Sequence, residues 1–131
     1  MLTLIVDDNI GSRTVVLKIM EKISDCEEAD SGQQAIVKFE EFLTGKNPFD
    51  LIMLDIMMPE IDGLKVLQLI REIEKKNEIS KDARVKILMV TSLSQKEHVL
   101  TAMKAGCDDY MVKPIKKEIL ESKLKELKLI E

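Results

Sequence analysis

The amino-acid sequence predicts a doubly wound α/β fold, in which helices cover both faces of a five-stranded parallel β-sheet. Two observations support this fold class. Short apolar runs alternate with longer segments in which apolar residues recur every three or four positions, and this alternation is typical of parallel strands joined by crossover helices. The runs are also apolar throughout, as expected for strands that are buried on both faces of a sheet.

Four apolar runs predict buried strands, at residues 2–6, 51–54, 87–90 and 110–112, and the last of these is the weakest. Residues 26–29 indicate a fifth strand only poorly, because Glu27 and Glu28 are charged. Such a pair would suit a strand at the edge of the sheet. The predicted chain order is therefore a strand followed by a helix, repeated five times.

The predicted helices are marked by apolar stripes at helical spacing within residues 15–23, 35–43, 66–73, 99–103 and 120–127. Capping-box spacing predicts two of the helix starts, one from Ser31 to Gln34 and one from Ser94 to Glu97. The charged and polar segment 75–84 is expected to be a loop inside one domain that spans residues 1–131.

Composition limits the class of protein. A chain with 45% hydrophobic and 34% charged residues is an ordinary globular protein rather than a disordered one. Its net charge of −4 lacks the basic surplus of a nucleic-acid-binding domain. No apolar run approaches the roughly 18 residues of a membrane helix. The first residues do not resemble a signal peptide, and two cysteines form no disulfide framework. We therefore expect a cytoplasmic protein without membrane insertion.

Polar side chains follow four of the predicted strands. Asp7 and Asp8 follow the first strand, Asp55 the third, Thr91 the fourth and Lys113 the fifth. Each residue alone is common in a solvated turn, but their joint placement is not expected by chance. Because ligands of open parallel sheets bind outside the carboxyl ends of the strands, the sequence predicts a functional site at this edge.

Three clustered carboxylates repel one another unless a cation compensates them. Lys113 is one such cation, and Mg²⁺, which prefers oxygen ligands, is another. No His or Cys lies among these residues, which argues against zinc. Once the charge is compensated, Lys113 and Thr91 could bind the oxygens of a phosphoryl group, and a carboxylate such as Asp55 could form an acyl phosphate.

With these motifs in this order, the sequence resembles the receiver domain of two-component response regulators over essentially its whole length. The matching segments are residues 4–9, 50–59, 62–63, 87–92 and 105–114. The resemblance implies a flavodoxin-like (βα)5 fold with strand order 2-1-3-4-5. It also implies a phosphoacceptor signalling module of the single-domain, chemotaxis-regulator type. The sequence does not decide whether the chain stands alone or was cut from a longer regulator.

The resemblance also assigns roles at the predicted site. Asp55 matches the phosphoacceptor, and Lys113 matches the lysine that pairs with the phosphoryl oxygens. Asp8 matches the direct Mg²⁺ ligand, Asp7 binds the ion through water, and the backbone carbonyl of Met57 is a further ligand. The chain is then no independent enzyme, but a module that assists its own phosphorylation and dephosphorylation.

A switch and its partners follow from the same resemblance. Thr91 matches a hydroxyl that moves toward the phosphoryl group, Tyr110 matches an aromatic ring that then turns inward, and the Lys113-Pro114 bond is expected to be cis. The phosphoryl donor would be a histidine kinase or a histidine phosphotransfer protein. The surface formed by the fourth helix, fifth strand and fifth helix would control a downstream protein that the sequence does not identify. The protein would be a monomer or a weak, phosphorylation-dependent dimer.

Some residues depart from the family pattern, and other functions compete with signalling. Ser92 replaces the small residue that commonly follows the switch threonine, a mild change. Met57 and Leu93 flank the path of the attacking water and are apolar, which predicts slow self-dephosphorylation. The principal alternative is a Mg²⁺-dependent phosphohydrolase with an aspartyl-phosphate intermediate, but its usual second aspartate is replaced by Met57. A flavin-binding protein would share the fold, but the chain has one Tyr and no Trp.

Overall fold

The computed structural model describes residues 1–131 and contains one five-stranded parallel sheet with the order β2-β1-β3-β4-β5, which confirms the predicted fold class. The strands are β1 (Leu2–Val6), β2 (Asp25–Ala29), β3 (Leu51–Asp55), β4 (Lys86–Thr91) and β5 (Asp109–Val112). The helices are α1 (Ile10–Met20), α2 (Gly32–Thr44), α3 (Gly63–Lys76), α4 (His98–Ala105) and α5 (Lys117–Glu126).

Two hydrophobic clusters, one on each face of the sheet, make up the core. Alternate residues of each strand point to opposite faces, so Leu4 of β1 joins the cluster that includes α2, α3 and α4. Its neighbour Ile5 joins the cluster that includes α1 and α5. The apolar runs predicted from the sequence are therefore continuous because both faces of the sheet are covered by helices.

Strand β2 forms one edge of the sheet, as its charged residues suggested, and begins one residue earlier than predicted. The carboxylate of Glu28 lies 3.0 Å from Nε of Arg13 on α1. The carboxylate of Glu27 lies 3.5 Å from Nζ of Lys38 on α2. Helices on both faces thus supply cations to a strand whose charges would otherwise disfavour it.

The predicted helix starts were right in one case and wrong in the other. Ser31 caps α2, since its Oγ accepts a hydrogen bond from the backbone N–H of Gln34 at 3.1 Å. Ser94 caps no helix. Its hydroxyl is hydrogen-bonded to the hydroxyl of Ser92 at 2.9 Å, and α4 begins only at His98. The segment 75–84 is also more ordered than expected, since α3 continues to Lys76 and a 3₁₀ turn spans Lys81–Ala83.

A buried ionic network ties α3 to the loops that flank β4 and β5. Arg71 donates to the Glu74 carboxylate at 2.7 Å, to the Asp108 carboxylate at 3.1 Å and to the backbone carbonyls of Val85 and Gly106. Glu74 is only 2% exposed, and its second oxygen accepts from the Val85 N–H. All groups of this network are therefore hydrogen-bonded, as buried charges require.

The strand register brings the carboxyl ends of the central strands to one edge. Val6 pairs with Leu54, and Asp55 pairs with Val90. Thr91 pairs with Val112 on β5. The residues that follow these strands are therefore neighbours in space.

No helix of the structure is long and apolar enough to span a membrane.

Candidate functional site

The first strand delivers two acidic residues to this edge. Asp7 is buried, and its Oδ1 accepts a hydrogen bond from the backbone N–H of Asn9 at 2.9 Å. Asn9 in turn caps α1 by accepting from the N–H of Ser12 at 2.9 Å. Asp8, between them, is exposed. The tight turn into α1 thus holds one carboxylate inward and leaves the next facing solvent.

Arg13 stabilises this turn from the first part of α1. Its Nη1 donates to the backbone carbonyl of Asp7 at 2.7 Å, while its Nε donates to Glu28 on β2 at 3.0 Å. The guanidinium therefore connects β1, α1 and β2 next to the acidic pair. Sequence reasoning did not find this role, because nothing in the spacing of Arg13 shows that it reaches back to a carbonyl six positions earlier.

The third strand ends in Asp55, whose residue exposure is only 6%. The loop after it is fixed by two backbone bonds, from the Ile56 N–H to the Val90 carbonyl and from the Gly63 N–H to the Ile56 carbonyl. A Cβ atom at Gly63 would collide with the carbonyl oxygen of Asp55. Glycine is therefore required there so that α3 can start directly against the end of β3.

The three predicted carboxylates lie together with the predicted lysine. One oxygen from each of Asp7, Asp8 and Asp55 can be chosen so that all three lie within 4.8 Å of one another. The Lys113 ammonium donates to Asp7 Oδ2 at 3.1 Å and to Asp55 Oδ2 at 3.3 Å. The cluster thus has three acidic groups and one ammonium, with one acid exposed on its outer side.

Burial controls the electrostatics of this cluster. It raises the pKa of Asp55 to about 6, although the nearby Lys113 ammonium opposes the shift and the Asp7 carboxylate adds to it. Burial alone would lower the pKa of Lys113, but the hydrogen bond to Asp7 and the attraction of Asp55 outweigh it and raise that pKa. Lys113 is therefore a permanent cation at neutral pH, and Asp55 is a carboxylate held at an energetic cost.

An open cavity of about 290 Å³ lies over the cluster. Its lining residues are Asp8, Asn9, Ser12, Asp55, Met57, Ser92, Gln95 and Lys113. Asn9, Ser12 and Gln95 were not predicted as site residues, since only the turn of α1 and the 3₁₀ turn after β4 bring them there. The cavity is polar, and it is large enough for a phosphoryl group and bound water.

The two predicted switch residues, Thr91 and Tyr110, do not line this cavity. Thr91 is fully buried at the end of β4, and its hydroxyl donates to the backbone carbonyl of Ser92 at 3.2 Å. Tyr110 lies on the edge strand β5, where it is partly buried and packs against the core on the α4 side. Just after Tyr110 in the chain, the Lys113-Pro114 peptide bond is cis, as expected.

The donor set fits a hard divalent cation. Carboxylate oxygens and a backbone carbonyl are the ligands that Mg²⁺ takes, usually with several waters retained, and Asp8 is exposed on the side of the cavity. Asp55 borders the same cavity as Lys113. A tetrahedral anion placed there would meet a nucleophilic carboxylate and a fixed ammonium at once, an arrangement suited to phosphoryl transfer.

The sequence matches the family model "Response regulator receiver domain" over residues 3–125. Among curated proteins, it is 37% identical over 123 residues to the chemotaxis protein CheY of Listeria monocytogenes. The match covers 91% of this chain and 92% of that protein.

Solved structures show the same similarity. The receiver domain of Ssk1, in complex with the histidine phosphotransfer signalling protein Ypd1 of Saccharomyces cerevisiae, aligns with a TM-score of 0.81 at 27% identity. This alignment covers 96% of this chain and 87% of that one. The BeF3-activated receiver domain of DrrB, a Thermotoga maritima protein, aligns with a TM-score of 0.74 at 26% identity, covering 98% and 97% of the two chains.

Proposed function

The chain belongs to the response regulator receiver domain family, the phosphoacceptor signalling modules of two-component systems, and we propose that its phosphoacceptor is Asp55. One observation carries this assignment. The Asp55 carboxylate is the buried acid that faces both the cavity and the Lys113 ammonium, at 3.3 Å. Asp7 also contacts Lys113, but its other oxygen is already occupied by the Asn9 N–H.

The proposed reaction is an in-line transfer. An oxygen of the Asp55 carboxylate attacks the phosphorus of a phosphohistidine, the P–N bond breaks, and the released imidazole takes a proton from solvent. Asp55 becomes an aspartyl phosphate. Lys113 can pair with the phosphoryl oxygens once they carry the negative charge, because its Nζ already lies beside Asp55 Oδ2. Positioning and charge compensation supply most of the catalysis in such transfers.

Mg²⁺ is the proposed cofactor. Asp8 and Asp55 would bind it directly with the backbone carbonyl of Met57, and Asp7 would hold it through water. When bound, the ion neutralises the carboxylates so that an anionic phosphoryl group can approach. The cluster of three acids against one ammonium supports this, because the single Lys113 cation compensates only part of the repulsion among three carboxylates, two of which are buried.

The proposed output is a rearrangement of Thr91 and Tyr110. A phosphoryl group on Asp55 adds about two negative charges and new acceptor oxygens, and the Thr91 hydroxyl, which now donates only to the Ser92 carbonyl, would turn to bind it. Tyr110 would then turn inward beside α4. This changes the surface of α4, β5 and α5, through which a downstream protein would be controlled. A small bistable element biased by one charged group is enough for such a switch.

The proposed phosphoryl donor is a histidine kinase or a histidine phosphotransfer protein, as in the Ypd1–Ssk1 pair. We propose one domain over residues 1–131 that acts in the cytoplasm as a monomer or weak phosphorylation-dependent dimer. A phosphohydrolase acting on external esters is not favoured. The residue two positions after Asp55 is Met57, which cannot serve as the acid and base of that reaction.

Intact mass after incubation with acetyl phosphate tests the proposal. We expect one phosphoryl addition that requires Mg²⁺ and is absent in Asp55→Asn. Asp8→Asn should need at least tenfold more Mg²⁺, whereas Asp82→Asn, at an exposed position remote from the cluster, should behave as the wild type. Addition to Asp55→Asn at the wild-type level would refute the assignment.

A further inference from the structure

Lys123 makes two contacts that the phosphoryl chemistry does not use. Its Nζ lies 5.5 Å from the ring centroid of Tyr110 and 3.1 Å from the Asp109 carboxylate. Lys123 belongs to α5, whereas Asp109 and Tyr110 are consecutive residues of the edge strand β5. The lysine therefore reaches across the edge of the sheet and lies over the aromatic ring of the proposed switch.

We propose that Lys123 is a positioning residue that holds the Tyr110 ring in the position it occupies before phosphorylation. The inference rests on the proposed switch role of Tyr110. Lys123 supplies the cation, and Asp109 fixes that cation over the ring. When Tyr110 turns inward, the contact between ring and ammonium is lost, so the strength of this contact opposes activation.

The geometry supports a contact of useful strength. A lysine ammonium within about 6 Å of an aromatic centroid is attracted by the ring. The Lys123 and Asp109 side chains are only 24% and 23% exposed, so water screens the ion pair less than at an open surface. A cation–π contact at a partly exposed site shifts an equilibrium between two ring positions about two- to fivefold. A shift of this size changes the populations of the two ring positions and leaves both of them accessible.

Linkage converts this shift into a binding measurement. If the ring position of the unphosphorylated state predominates and Lys123 favours it, removing Lys123 must strengthen the binding of a phosphoryl mimic by nearly the same factor. Beryllofluoride is a suitable mimic, since it activated the similar DrrB domain. We therefore expect Lys123→Met to bind beryllofluoride about two- to fivefold more tightly at saturating Mg²⁺.

The chain provides its own optical probe of the ring. Tyr110 is its single tyrosine and there is no tryptophan, so intrinsic tyrosine emission reports this ring alone. Acrylamide, which is neutral, measures how accessible the ring is. In the wild type, beryllofluoride should lower the quenching constant as Tyr110 turns inward. In Lys123→Met, the constant should already be lower before beryllofluoride is added.

Two matched variants separate the contact from a general loss of charge. Lys125→Met removes the same charge from an exposed position on the same helix, so it should bind beryllofluoride as the wild type does. Lys123→Arg keeps a cation that can reach both Asp109 and the ring, so it should restore wild-type affinity and quenching. Thermal unfolding followed by circular dichroism confirms that each variant is folded.

The outcomes separate this inference from the function it rests on. Equal affinities and quenching constants in Lys123→Met and Lys125→Met would overturn the positioning role. The proposed switch would stand in that case if the wild-type emission still responded to beryllofluoride. No change of wild-type Tyr110 quenching at saturating beryllofluoride would overturn both the switch role of Tyr110 and the role of Lys123.

Discussion

The replacement of the phosphoacceptor by its neutral isostere, Asp55→Asn, should stabilise the protein in the absence of metal. Asp55 is 6% exposed and lies among two other carboxylates, with Lys113 as the compensating cation. Its ionised form is therefore held in the fold against desolvation, which raises its pKa to about 6. An asparagine keeps the shape and can still accept from Lys113, but it carries no charge to desolvate.

The sign and size of the effect follow from this pKa. Between the ordinary value of 3.8 and about 6, the native protein keeps a proton on Asp55 that the unfolded chain has lost. The free energy of unfolding therefore falls as the pH rises through this window, and the loss is complete above it. The difference of roughly 2 pH units corresponds to about 2–3 kcal/mol. Asp55→Asn does not undergo this loss. Its free energy of unfolding should therefore exceed that of the wild type by about 2–3 kcal/mol at pH 7.5 and by about half of that at pH 5.

Urea unfolding followed by circular dichroism at both pH values, with a metal chelator present, measures this advantage. Titrating groups outside the cluster contribute equally to both proteins, so the difference between their unfolding free energies reports on Asp55 together with Asp7 and Lys113, with which it interacts. Asp82→Asn is the control, because that carboxylate is exposed and its loss should change stability by less than about 0.5 kcal/mol. A variant no more stable than the wild type at pH 7.5, or an advantage that does not shrink at pH 5, would refute the reasoning.

Three further changes have defined outcomes. Met57→Asn should speed loss of the phosphoryl group about tenfold, because Met57 is 47% exposed at the cavity and an amide there can orient the attacking water. Phosphate release measures this, and an unchanged rate would count against slow self-dephosphorylation. Gly63→Ala should destabilise the fold by about 1–3 kcal/mol in urea, because its Cβ collides with the Asp55 carbonyl. A neutral effect would mean that the loop can move aside. Arg71→Met should cost about 3–5 kcal/mol, because it leaves Glu74 buried without its cation. Wild-type thermal stability would exclude this role for the network.

The central strands could be predicted from the sequence, because burial on both faces makes them apolar throughout. The edge strand β2 was only poorly indicated. Its Glu27 and Glu28 are tolerated because Lys38 and Arg13 arrive from two different helices, which no local pattern shows. The start of α4 was misplaced for a similar reason. Ser94 has the spacing of a cap, but its hydroxyl is engaged by Ser92 in the preceding turn.

The carboxylates and the lysine of the site could also be predicted, because parallel strands carry whatever follows them to the same edge. The positions of Asp7, Asp55 and Lys113 in the structure agree with that reasoning. The supporting groups could not be found in this way. Arg13 acts on a backbone carbonyl, and Gly63 acts through the space that its missing side chain leaves open. Neither role shows in a sequence period or in the order of the strands.

The identity of the phosphorylated residue tests the central claim most directly. After incubation with acetyl phosphate and Mg²⁺, reduction with borohydride converts an aspartyl phosphate into homoserine, which peptide mass spectrometry can locate. We predict homoserine at position 55 and nowhere else, with none formed when Mg²⁺ is removed. An intact Asp55 together with modification at another residue, such as Asp7 or the single histidine, His98, would contradict the proposed site.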